Sequence, residues 1–150
     1  MELKDIIEEK LVFFNLDISK KQDVIRFAAK ILEENGYIKN KDFFVEAVLQ
    51  REKVGVTGIG NGIAIPHGKS DSVLKPKVVA MKLKQKIEWE SLDGKKVEYV
   101  FLFAIGDDPK AYMEHLKLLA SFAGKLGNDE KVNKILNSTG KEELVEIIRR

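Results

Sequence analysis

The 150-residue sequence has no cysteine. Disulfides, thiolate nucleophiles and cysteine-ligated metals are therefore excluded, which fits a chain kept in the cytoplasm. It has three prolines and one tryptophan, and its two histidines are His67 and His115. Any imidazole chemistry must use one of those two. No apolar run approaches the roughly 20 residues of a membrane-spanning helix, so direct membrane insertion is not expected. The opening Met1-Glu2-Leu3-Lys4-Asp5 carries acidic side chains where a secretory leader has basic ones before an apolar block. A strong charge of one sign is also missing. Lys and Arg number 26 against 24 Asp and Glu, a formal net charge of +2, and the basic residues form no block. That argues against a general nucleic-acid binder.

What is present reads as an ordinary globular chain, 44% hydrophobic and 33% charged. Its length suits one domain over residues 1–150, with a sizeable core. Leu3, Ile6 and Ile7 predict a short amphipathic helix running into an apolar piece at 11–14, a candidate strand. Ser19 and Gln22 have the spacing of a capping box. The stripe Val24, Phe27, Ala28, Ile31 and Leu32 follows, and Gly36 ends that helix. Asn40 caps a second helix, with Phe43, Phe44, Ala47 and Val48 as buried candidates and Arg51 in the last turn. Residues 63–65 and 77–83 read as strands. Asp93-Gly94 marks a turn between 87–89 and 97–105. The second of these segments is almost wholly apolar, as a strand covered on both faces should be. Asp108-Pro109 opens a third helix bearing Tyr112, His115, Leu116, Leu119, Phe122 and Ala123, with Gly127 beyond its end. Asn128 caps a fourth, with Val132, Ile135 and Leu136. Thr139 with Glu142 forms a capping box for a last helix at 144–148. Interleaved helices and strands predict an α/β fold, a sheet of about four or five strands between helical layers.

One stretch fits neither helix nor ordinary strand. Gly55-Val56-Thr57-Gly58-Ile59-Gly60-Asn61-Gly62-Ile63-Ala64-Ile65-Pro66-His67-Gly68 places four glycines within eight residues and then a Pro-His-Gly. A nucleotide cradle is the first reading to test. Five residues separate Gly62 from Gly68-Lys69-Ser70, where a P-loop requires four. The dinucleotide fingerprint starting at Gly58 needs a glycine at position 63, which is Ile. Both fail, so no nucleotide cofactor is called for.

The stretch instead surrounds His67. Pro66 fixes the backbone before it, Gly68 permits close approach after it, and the apolar 63–65 segment anchors it at the sheet edge. A neutral imidazole is a good nucleophile near pH 7. Phosphoryl transfer asks mainly for positioning and for donors to the equatorial oxygens, and backbone N–H groups near a glycine loop supply these. The bland alternative is a structural histidine in a turn. His115 reads either as a hydrogen-bonded core residue or as a donor to a phosphoryl oxygen. The histidines lack the spacing and the carboxylate of a zinc site, so no metal is expected. Arg51 reads as a cation favoured by a helix C-terminus or as a guanidinium fork for phosphate. Thr57 either steadies the loop or touches phosphate. Ser70 and Asp71 read as turn formers, and Lys69, Lys75 and Lys77 as a solvated face.

Arg51-Glu52 followed by Gly55-x-Thr57-Gly58-x-Gly60-x-Gly62-x-Ala64-x-Pro66-His67 resembles the active-site signature of the fructose/mannitol-type enzyme IIA domain of the bacterial phosphoenolpyruvate-dependent sugar phosphotransferase system. Glu114-His115-Leu116-x-x-Leu119-Ala120 is similar to that family's second histidine motif. The resemblance covers essentially the whole chain. It implies a mixed sheet between helices, in a three-layer α/β/α arrangement. It implies that His67 receives a phosphoryl group on Nε2 from the phosphorylated phosphocarrier protein HPr, with His115 and Arg51 stabilising that group. Thr57, Gly58, Gly60, Gly62 and Gly68 match the loop around it. The phosphoryl group would pass to a cysteine of an enzyme IIB, and then to sugar entering through the membrane component IIC. With no cysteine of its own, the chain would find IIB on a separate polypeptide. Fructose or a related sugar or hexitol is the expected substrate. A regulatory nitrogen-type enzyme IIA, signalling to protein partners through the same phosphohistidine, is the alternative. The segment 92–97 and the spacing to His115 favour the fructose type.

Overall fold

The computed structural model describes residues 2–150. Two 3-10 turns, Leu3–Asp5 and Glu9–Leu11, lead into strand β1 (Val12–Leu16). They stand where the sequence suggests an amphipathic helix. The segment is too short to sustain an α-helical nucleus, yet Ile6, Ile7 and Leu11 are buried as that pattern requires. Helices α1 (Lys21–Glu34) and α2 (Lys41–Val54) come next, then strands β2 (Gly58–Gly60), β3 (Ile63–Ala64), β4 (His67–Ser70), β5 (Lys77–Ile87) and β6 (Val97–Gly106). Helices α3 (Pro109–Lys125), α4 (Asp129–Leu136) and α5 (Lys141–Arg149) complete the chain.

The strands form one mixed sheet in the order β1-β5-β6-β3-β2, with β4 also on β6. β5 and β6 are antiparallel, while β1 runs parallel to β5 and both β3 and β4 run parallel to β6. β3 and β4 therefore share one lane beside β6, interrupted at Ile65 and Pro66. The sheet has six strands, and the two that the sequence pattern does not mark are β2 and β4. Both are short and glycine-bearing, so neither shows the alternation by which a strand is recognised.

Side chains alternate across β5 and β6 and fill two cores. Val79, Met81, Leu102 and Ala104 pack with α1 and α2. Val78, Ala80, Phe101 and Phe103 pack with α3, α4 and α5. This is the expected three-layer arrangement.

Several local expectations need correction. Of the buried candidates on α2, Phe44 and Val48 are buried as expected, Ala47 is half-buried and Phe43 is 66% exposed, while Val45 is buried as well. The apolar stripe is set by the helix face that meets β4 and α1, and Phe43 lies off that face. Ser19 does not cap α1: the N-cap is Lys20, with no side-chain hydrogen bond. At α5 the N-cap is Gly140, and Glu143 rather than Glu142 reaches back, to the Thr139 N–H at 3.4 Å. Asn40, Asp108 and Asn128 do cap their helices, accepting from Phe43, Ala111 and Lys131 N–H.

Candidate functional site

The glycine-rich stretch is a tight hairpin followed by a broken strand. Gly60, Asn61 and Gly62 all have left-handed backbones, with φ of +98°, +58° and +75°. Three such residues in a row reverse the chain between β2 and β3, a geometry open to Gly and Asn. Pro66 has no N–H to give, but its carbonyl accepts from Phe103 N–H at 3.0 Å. His67 then begins β4, opposite Phe103. A Cβ on Gly68 would stand 2.6 Å from Val48 Cγ2 and 2.9 Å from Phe44 Cε1. Glycine there lets α2 lie directly on β4. With Gly68 facing α2, His67 and Lys69 project to the opposite face. There the Lys69 ammonium lies 4.3 Å from the ring centre of Tyr112 on α3.

His67 is half-buried. Its Nδ1 is sealed from solvent and makes no well-aligned hydrogen bond, whereas Nε2 is not among the sealed, unpartnered atoms. Burial lowers the pKa of the imidazole below the usual histidine value, and the Arg51 guanidinium lowers it further; the Ile65 backbone and Glu52 act in the opposite direction. The ring is thus biased toward its neutral form, which has a lone pair to donate. Arg51 sits in the last turn of α2, where Nη1 donates to the Gly55 carbonyl at 3.0 Å.

His115 is buried on α3, and its Nδ1 accepts from Gly106 N–H at 2.9 Å. In the neutral ring the proton then lies on Nε2. Burial lowers its pKa as well. It lines a cleft of about 550 Å³ with Asp71, Lys75, Pro76, Asp108 and Glu114. Among the described residues no hydrogen bond joins the two imidazoles. Gly106 stands three residues beyond Phe103 on β6, roughly 10 Å along the strand. The fold therefore brings Arg51 into the field of His67 and sets His115 at the far end of the same β4–β6 ladder. Tyr112, on the same helix as His115, reaches back over Lys69.

Thr57 is buried. Its hydroxyl donates to Glu52 Oε2 at 2.7 Å and accepts from Trp89 Nε1 at 2.9 Å, and its carbonyl accepts from Ile65 N–H at 3.0 Å. Gly58 presses against the chain at 90–91, where a Cβ would lie 2.5 Å from Ser91 Cβ. These contacts steady the loop. Glu52, Trp89 and Lys21 are the members that sequence reasoning missed. Glu52 is adjacent to Arg51 in the motif, which is the one signal available; Lys21 and Trp89 carry none. Ser70 is the last, buried residue of β4, with its hydroxyl accepting from Ser72 N–H at 3.0 Å. Among the described residues no three His, Asp or Glu side chains gather to hold a metal, and no helix is long and apolar enough to cross a membrane.

The family described as phosphoenolpyruvate-dependent sugar phosphotransferase system, EIIA 2, matches residues 5–150. The chain belongs to this family. Its EIIA relatives differ in role. Over 140 residues the chain is 36% identical to a nitrogen regulatory protein of Bradyrhizobium diazoefficiens, with 93% of this chain and 88% of that protein covered. Over its whole length it is 29% identical to a fructose-specific EIIABC component of Bacillus subtilis, of which it spans 23%. The Escherichia coli complex of enzyme IIAMTL with phosphorylated enzyme IIBMTL overlays with a TM-score of 0.78 at 25% identity, covering 95% of this chain and 96% of that one.

Proposed function

We propose that this EIIA chain is a phosphocarrier of the sugar phosphotransferase system and that His67 is its phosphoryl acceptor. The lone pair of His67 Nε2 attacks the phosphorus of phosphorylated HPr. The new N–P bond forms as the N–P bond to the HPr histidine breaks. In the second transfer a cysteine thiolate of an enzyme IIB on a separate chain takes the phosphoryl group, and His67 is restored. IIB then serves sugar, fructose or a related sugar or hexitol, entering through the membrane component IIC. The chain itself works in the cytoplasm.

The observation that carries this reading is the asymmetry of the His67 ring. Nδ1 is sealed while Nε2 is not, and the imidazole is biased toward its neutral form. Arg51 supplies positive charge beside the ring as the phosphoryl group arrives. His115, with Nδ1 committed to Gly106, keeps Nε2–H as a donor for the phosphoryl group. The steps use no metal and no nucleotide. The IIA–IIB complex of the mannitol system supports a separate IIB partner.

The regulatory reading keeps the same chemistry and differs only in what takes the signal. It is favoured by the 36% identity to a nitrogen regulatory protein along most of both chains. Incubation with phosphoenolpyruvate, enzyme I and HPr is expected to add one acid-labile, alkali-stable phosphate, lost in His67→Ala. Labelling of His67→Ala at the wild-type level would overturn the assignment. Discharge of the label onto a fructose-type IIB supports the sugar carrier, and retention of the label supports the regulator.

A further inference from the structure

We propose that Glu52 is a positioning residue for the phosphoryl acceptor, holding the loop and Arg51 in register with His67. The inference rests on the assignment of His67 above. The Glu52 carboxylate is enclosed, with its side chain 5% exposed, at the end of α2 beside Arg51. Its two oxygens have separate tasks. Oε2 takes the Thr57 hydroxyl proton at 2.7 Å. Oε1 meets the Lys21 ammonium at 2.5 Å, an ion pair not aligned as a directed hydrogen bond.

From Thr57 the constraint runs in two directions. The hydroxyl receives the Trp89 indole N–H, fixing the loop to the segment after β5. The carbonyl receives Ile65 N–H at 3.0 Å, two residues before His67, with Pro66 between them. Pro66 has a fixed φ, so a displacement at Ile65 is passed on to His67 with little loss. On the other side, Glu52 shares the last turn of α2 with Arg51, whose guanidinium is tied to the Gly55 carbonyl within the same loop. One carboxylate thus sits between the nucleophile and its cation. Lys21, only 18% exposed at its side chain and also paired with Glu90 at 2.7 Å, balances the charge. Glu52 is also close enough to His67 to favour ring protonation.

This is more than loop packing, because it links two measurable quantities: the geometry at Trp89 and the titration of His67. Glu52→Gln keeps an amide oxygen for Thr57 and removes the charge. Thr57→Val removes the hydroxyl at nearly constant shape, and Thr57→Ser restores it. The unphosphorylated proteins are read by NMR, following the Trp89 indole N–H and the His67 ring as pH is varied. Glu52→Gln is expected to lower the His67 titration point, and Thr57→Val to shift the indole resonance. Both should slow acceptance from phosphorylated HPr by about tenfold, as a small misplacement of a reacting group does. Thr57→Ser should restore both resonance and rate. An unmoved His67 titration in Glu52→Gln, or equal rates for Thr57→Val and Thr57→Ser, overturns the proposal. Should Glu52→Gln fail to fold, the comparison of Thr57→Val with Thr57→Ser decides the matter. If the wild type takes no phosphate, the assignment of His67 fails, and the titration still decides whether Glu52 acts on the ring.

Discussion

His67 and His115 are held in different ways, although burial pushes both rings toward the neutral form. His67 is carried on a short strand just after a break in the sheet, with Nδ1 sealed from solvent and without a well-aligned hydrogen bond. His115 is carried on a long helix, with Nδ1 fastened to the backbone of Gly106. Protonating His67 breaks no hydrogen bond. Protonating His115 turns an acceptor into a donor facing an N–H, which costs about 1 kcal/mol of hydrogen bonding and adds repulsion. A pKa direction alone does not distinguish the two rings; the partner of each nitrogen does.

The sharpest way to break that contrast is to delete each ring. His67→Ala should incorporate no phosphate. His115→Ala should incorporate it and pass it on roughly a hundredfold more slowly, as when a single stabilising donor is lost. Onward transfer at the wild-type rate, measured with labelled protein and IIB, would make His115 a packing residue only.

The glycine beside each ring gives a second, smaller contrast. Gly68→Ala drives a methyl group to 2.6 Å from Val48 Cγ2 and should destabilise the fold by about 1–3 kcal/mol. Gly106→Ala meets His115 Cε1 at 3.3 Å, His115 Nδ1 at 3.6 Å and Ala111 Cβ at 3.8 Å and should cost less than Gly68→Ala, because its nearest contact is looser by several tenths of an ångström. Equal urea midpoints for the two variants would contradict the tight seat assigned to β4.

Arg51→Gln removes a charge that lowers the His67 pKa and does not figure at His115. The His67 titration should rise and that of His115 stay in place, followed by ring proton shifts in NMR. Movement of both would place Arg51 nearer the second ring than described.

The smallest effect is on stability against pH. Both folded pKa values lie below the ordinary 6.5, so in the window just beneath 6.5 the unfolded chain binds more protons. Stability is whole above that value and declines as pH falls through the window. His115→Asn should flatten the decline more than His67→Asn, because only His115 gives up a hydrogen bond on protonation. Urea unfolding at several pH values checks the order.

The layers and most elements were legible because long segments carry their own period. The 97–105 run is apolar throughout and became the central β6, and the caps at Asn40, Asp108 and Asn128 follow from local chemistry. β2 and β4 were not legible. Strands of three and four residues rich in glycine have no pattern to read and exist because β6 offers them backbone partners. His67 and Arg51 could be picked out from a dense local motif. The links from Glu52 and Thr57 to Lys21 and Trp89 could not, since they join residues more than thirty positions apart that meet only after folding. Phe43 and Phe44 looked alike in sequence, and only the packing of α2 separates them.

β4 has one further consequence. It has a strand neighbour on one side only, β6, among the described residues, so its other rim has no strand partner even though Gly68 and Ser70 are buried. A strand rim without a partner invites a second chain to stack on it wherever solvent reaches it. This one has three protections: a length of four residues, a proline at its entrance, and the exposed charge of Lys69 along its run. Its brevity and its charge make β4 a poor template for aggregation, so a histidine can stand on an unpaired strand without making that strand sticky.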